Sequence, residues 1–139
     1  MAQDIQQLHA HYRQGDTQFR LAGGQAGCMK LANDFYDIME TLPAARHIRR
    51  LHKPDLGESH EKLGLFLCGY LNGPELYAEK YGRLQLAPAH GHVPIRSEDR
   101  DAWLLCMQKA LDRQPWPQEF KAFLLQRLSV PAERCRNRP

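Results

Sequence analysis

Ser97-Glu98-Asp99-Arg100-Asp101-Ala102-Trp103-Leu104-Leu105-Cys106-Met107-Gln108-Lys109-Ala110-Leu111 reads as one amphipathic helix. Ser97 is a good N-cap, and Glu98 and Asp99 put carboxylates where the helix dipole favours negative charge. Trp103, Cys106, Met107, Ala110 and Leu111 then recur three or four apart as a single apolar stripe. Downstream, Pro115-Trp116-Pro117 opens a second helix carrying Phe120, Phe123, Leu124 and Leu128, expected to stop before Pro131. Upstream, Gly23-Gly24 precedes a helix with Met29, Ala32, Phe35, Ile38, Met39 and Leu42 on one side, closed by Pro43. Another opens near Asp55, stacks Leu56, Ser59, Leu63, Phe66, Leu67 and Tyr70, and breaks at Asn72-Gly73-Pro74. Short helical turns are expected at 5–12 and 75–81. No stretch of comparable length alternates with period two, so the domain reads as all-α.

Residues 83–95, with two prolines, one glycine and the pair His90 and His92, fit no long regular helix. We read 1–18 as an N-terminal extension, 19–131 as the domain and 132–139 as a basic tail. The chain has 139 residues, enough to bury roughly two thirds of its unfolded surface without a disulfide or metal staple. Apolar residues make up 42% and charged ones 25%, a balance that excludes a disordered chain. No apolar run approaches the roughly 20 residues of a membrane span, and the polar N-terminus lacks a secretion signal. A soluble, cytoplasmic protein is expected. Cys28, Cys68, Cys106 and Cys135 are scattered and read as small core hydrophobes. The net charge of +3 comes from interspersed signs and carries no nucleic-acid footprint.

Chemistry could come from His90, His92, His47, His52 and His60, from Phe35-Tyr36, and from Trp103. Histidine is the commonest metal-binding side chain, yet a lone one is more often hydrogen-bonded or solvated. Structural zinc needs three or four ligands at recognisable spacing, which the H-x-H pairs alone do not provide. Trp103 and Phe35 at helical spacing read equally well as core. Gly23-Gly24 lacks the context of a phosphate loop, and no G-x-S-x-G is present. From the residues alone, the reading stops at a helical domain with a candidate histidine-ligated cofactor.

The series Gly23-Gly24, Asp34-Phe35-Tyr36, Asp55-Leu56, Glu61-Lys62-Leu63, Phe66-Leu67, Gly73-Pro74, Tyr77, Gly82 and His90, followed by Arg100-Asp-Ala-Trp-Leu-Leu-Cys-Met107, resembles the group II truncated haemoglobins. The resemblance runs from about Phe19 to Leu128. It implies a shortened globin fold, two helices packed over two, holding haem b. It makes His90 the proximal iron ligand, with His92 as a second candidate, and Tyr36 and Trp103 the distal hydrogen-bond donors. A diatomic ligand that draws electron density from iron becomes partly negative, so each donor contributes about 1.5–3 kcal/mol. Leu63 walls the distal side, Ser59 lies one turn earlier, and His52 falls at the corner between helices. Lys62 is placed for a haem propionate, while Phe35, Phe66 and Leu67 line or back the cavity. Tyr77 and Val93 complete the implied pocket set. His47 and His60 are expected to be solvated.

The chain departs from the group's pattern before the proximal position. Ala87 and Ala89 stand where basic residues are usual, Pro88 precedes the histidine, and Asn72 replaces a glycine. The implied function is reversible binding of O₂, with NO, CO or peroxide as further ligands, in a monomer or weak homodimer. The alternatives are a haem redox enzyme of NO dioxygenase or peroxidase type, which needs a separate reductase, and a haem-free interaction module.

Overall fold

The structure is a computed structural model; it describes residues 2–83 and 93–138, with side chains from residue 5 onward. Eight α-helices are described: α1 Ala2–Tyr12, α2 Thr17–Leu21, α3 Gly24–Thr41, α4 Arg46–Leu51, α5 Gly57–Tyr70, α6 Leu76–Tyr81, α7 Ser97–Asp112 and α8 Gln118–Cys135. A 3₁₀ turn, Pro43–Ala45, joins α3 to α4. No strand occurs among the described residues. The pair α3/α5 packs over the pair α7/α8, with α3 against α7 as the main seam. This is the two-over-two arrangement expected from the sequence.

Gly23 makes the entry to α3 sharp, because its φ of +90° is a left-handed conformation that side chains rarely adopt. At the other end Leu42 is extended ahead of Pro43, and α3 stops. The α3/α5 crossing is set by Gly64, where an added Cβ would lie 2.1 Å from Met29 Sδ. Asn72 has φ +63° just beyond α5. It is therefore a workable substitute for glycine, because asparagine tolerates the left-handed region better than other side chains.

Two helix ends differ from expectation. The N-cap of α7 is Arg96, not Ser97: the Asp99 carboxylate reaches back to accept the Arg96 backbone N–H at 2.9 Å. Ser97 becomes the first helical residue. Helix α8 does not stop before Pro131 but runs through it to Cys135. Proline offers no N–H to the carbonyl four residues back, that of Arg127. The Tyr70 hydroxyl, from α5, donates to that carbonyl at 2.6 Å instead. The continuity of α8 thus depends on a side chain of another helix.

Phe35, Leu67, Met107, Phe120 and Leu124 are fully buried at the centre. Helix α1 adds to this core: Tyr12 is buried and its ring lies 5.3 Å from that of Phe120 and 5.1 Å from that of Phe123. Cys28, Cys68 and Cys106 are buried thiols, as their reading as core residues requires, whereas Cys135, in the last turn of α8, is only half-buried.

Candidate functional site

The apolar stripe of α5 is only partly consumed by the core. Leu67 is fully buried, but Ser59, Leu63 and Phe66, on the turns before it, remain half-buried. An apolar helix face left half covered by its neighbours is a surface with an occupant in view. Tyr36 of α3 lies beside this face with 6% exposure. Burial pushes its phenol pKa well above the ordinary value, while the hydrogen-bonded Ser59 hydroxyl offsets part of the rise. The phenol therefore keeps its proton at any physiological pH and remains a donor.

A row of aromatic rings ties the site together across four elements. Trp103 of α7 lies 5.1 Å from Phe35, and Phe35 meets Tyr36 edge-on at 4.9 Å. Tyr36 in turn stacks on His60 at 4.9 Å and meets the edge of His52 at 5.8 Å. Phe35, fully buried, acts as the spacer between the two polar-tipped rings. Among the described residues, none accepts a hydrogen bond from the Trp103 indole N–H. His52 donates from Nδ1 to the Ile48 carbonyl at 2.8 Å, which sets that nitrogen as the protonated one.

Other expected positions sit differently. Lys62 pairs with Glu58 at 2.7 Å, one turn earlier on α5, and stands over the Tyr81 ring. Tyr77 packs on Tyr81, whose hydroxyl donates to Glu61 at 2.6 Å. Phe66 stacks on Tyr70 at 5.2 Å. The Val93 carbonyl accepts from the Asn137 side chain. His90 and His92 lie outside the described residues.

His47 is solvated as expected, with 60% of its side chain exposed, whereas His60 is not. His47 donates from Nδ1 to Asp99, a carboxylate whose side chain is only 5% exposed. His60, half-buried on the Tyr36 ring, donates to Asn33 Oδ1 at 2.7 Å. Asn33 is a member of the site that sequence reading missed. Its one signal is position, a turn ahead of Tyr36 on the same helix.

A two-over-two helical sandwich with a half-covered apolar face between tyrosine, tryptophan and histidine defines a globin of shortened type. The chain belongs to the bacterial-like globin family, which it matches over residues 17–136. It is similar to the group 2 truncated haemoglobin YjbI of Bacillus subtilis, 34% identical over 114 residues, 82% of this chain and 84% of that one. Among solved structures it resembles the group II 2-on-2 haemoglobin of Agrobacterium tumefaciens. That likeness has a TM-score of 0.83 at 34% identity and covers 88% of this chain and 95% of the other. The cold-adapted truncated haemoglobin of Pseudoalteromonas haloplanktis gives the same TM-score of 0.83 at 32% identity, covering 86% and 97%. The resemblance to group II truncated haemoglobins is thus shown, and with it membership of a haem-binding fold family.

The residues present fit a haem. A flat macrocycle needs apolar walls, and Leu63 and Phe66 offer half-covered ones. It needs donors for a ligand on the iron, and the buried phenol of Tyr36 and the indole of Trp103 have that chemistry. It needs a cation for its carboxylates, and Lys62 is exposed enough to exchange Glu58 for one.

Proposed function

We propose that this chain binds haem b through His90 and uses it to bind O₂ reversibly. The observation that carries the reading is the Trp103–Phe35–Tyr36 row beside the half-covered face of α5. The haem iron, when bound, supplies the coordination site for a diatomic ligand. Tyr36 and Trp103 donate hydrogen bonds toward that ligand, and Ser59 holds the Tyr36 oxygen so that the phenol proton stays available. Leu63, Phe66, Leu67 and Phe35 exclude water, which strengthens each of those bonds. His52 closes the corner of the pocket, Lys62 would take a propionate, and Tyr77 and Val93 complete the pocket set. NO, CO and peroxide are further ligands of the same pocket. Sustained NO or peroxide turnover would draw electrons from a separate reductase.

Titration of the purified protein with hemin, followed by reduction and addition of CO, tests this reading by absorption. The expected result is a Soret band that shifts on reduction and again with CO. His90→Ala loses stable incorporation, whereas His92→Ala keeps it. Equal Soret bands in both variants would refute the ligand assignment, and no band in the wild type would refute the haem reading itself.

A further inference from the structure

We propose that residues 136–138 form a strap on the chain that leaves the proximal segment, with Asn137 as its positioning residue. The inference rests on His90 being the haem ligand. Residues 93–96 have no regular secondary structure. Their backbone polar groups must find partners elsewhere, and Pro94 has no N–H to contribute.

Arg96 is served by α7 itself, through Asp99 and Arg100, and Asn137 supplies the partners of Val93 and Ile95. Its side-chain amide donates to the Val93 carbonyl at 2.8 Å, and its Oδ1 accepts the Ile95 N–H at 2.8 Å. The backbone N–H groups of Asn137 and Arg138 both donate to the Ile95 carbonyl, at 2.9 and 3.0 Å. One planar amide thus serves a donor and an acceptor two residues apart, as a neighbouring strand would. No other side chain but glutamine has both functions in that shape.

The strap is moored at its base. Arg136 donates to Glu133 Oε1 at 2.7 Å, and the other carboxylate oxygen of Glu133 accepts from Arg100 of α7. The tail is therefore fixed to both α7 and α8 before it crosses to Val93. Val93 follows His90 by three residues, a span of at most about 11 Å when fully extended. Holding Val93 in place anchors the C-terminal end of the segment that carries the proximal histidine. The haem-side basic residues usual in the group are alanines here, Ala87 and Ala89. The strap provides restraint from the opposite end of the segment.

The test compares reconstituted wild-type protein with Asn137→Ala and Arg138→Ala. Two readouts are used: hemin transfer to a scavenging apoglobin, and the iron–histidine stretching band of the ferrous, ligand-free form by resonance Raman. Asn137→Ala should lose hemin about fivefold faster or more, the effect of roughly one hydrogen bond, and should shift or broaden the band. Arg138→Ala should match wild type in both, because its side chain donates only within the strap, to the Asn137 carbonyl, while its contact with Ile95 is made by backbone. Wild-type behaviour of Asn137→Ala in both readouts overturns the strap, as does an equal change in Arg138→Ala. Wild-type protein that takes up no hemin overturns the haem reading instead, and the two failures are told apart by that control.

Discussion

Removing the Tyr70 hydroxyl should weaken α8 rather than α5. In Tyr70→Phe the ring remains, with Arg127 4.3 Å above it, so that cation–π contact is conserved. The donation of the Arg127 guanidinium to the Tyr70 carbonyl is conserved too, since its acceptor is backbone. What is lost is the 2.6 Å bond to the Arg127 carbonyl, which Pro131 leaves without a helical donor. A half-buried carbonyl deprived of its partner costs about 1–2 kcal/mol. In a chain of this size that lowers Tm by roughly 4–8 °C. Pro131→Ala restores an N–H at the right place, so the same Tyr70→Phe change made in that background should cost far less. The double-mutant cycle, read by urea unfolding of all four proteins under circular dichroism, should show a coupling of about 1 kcal/mol. A coupling below about 0.3 kcal/mol, within ordinary additivity, would mean that the hydroxyl does not substitute for the missing helical bond.

Two further changes test the pocket and the tail mooring. Tyr36→Phe and Trp103→Phe should each speed O₂ dissociation about tenfold or more in stopped-flow measurements, the equivalent of about 1.4 kcal/mol; unchanged rates in both would remove the distal donors from the reading. Hydrogen bonds from Arg136 and then Arg100 lower the Glu133 carboxyl from its ordinary value of 4.5 to about 2. A group whose folded pKa is depressed stabilises the fold above its unfolded pKa and loses that contribution as pH falls through the folded one. Urea midpoints of wild type should therefore drop more steeply between about pH 5 and pH 2 than those of Glu133→Gln, and parallel curves would show that the pair does not hold the tail.

The long helices were legible because each buries one face, and a period of three or four is the imprint of that burial. The stretch from Ser97 to Leu111 shows it, with Cys106, Met107, Ala110 and Leu111 all buried. What was not legible depends on partners from other elements. Pro131 carries the usual signal of a helix end, and nothing near it in the chain announces the hydroxyl from α5 that cancels it. His60 looks like any surface histidine until α3 brings Tyr36 and Asn33 against it. The Arg96 cap is a different case, because its partner Asp99 lies three residues on in the same helix, and there the choice was between two adjacent candidate caps. By periodicity Leu63 and Phe66 sit on a stripe that reads as core; the family resemblance made them pocket walls, and the packed helices leave this part of the stripe half open. The Lys62–Glu58 pair, at a spacing of four, was not read from the sequence, where Lys62 was placed for a propionate.

The close approach of α3 and α5 at Gly64 carries a consequence for how this chain can drift. A methyl group at position 64 would collide with the sulfur at position 29. A lineage that gains a side chain at the first position is favoured only if the second shrinks in company with it. Positions 29 and 64 should therefore vary as a matched couple among descendants, with bulk on one helix traded for bulk on the other.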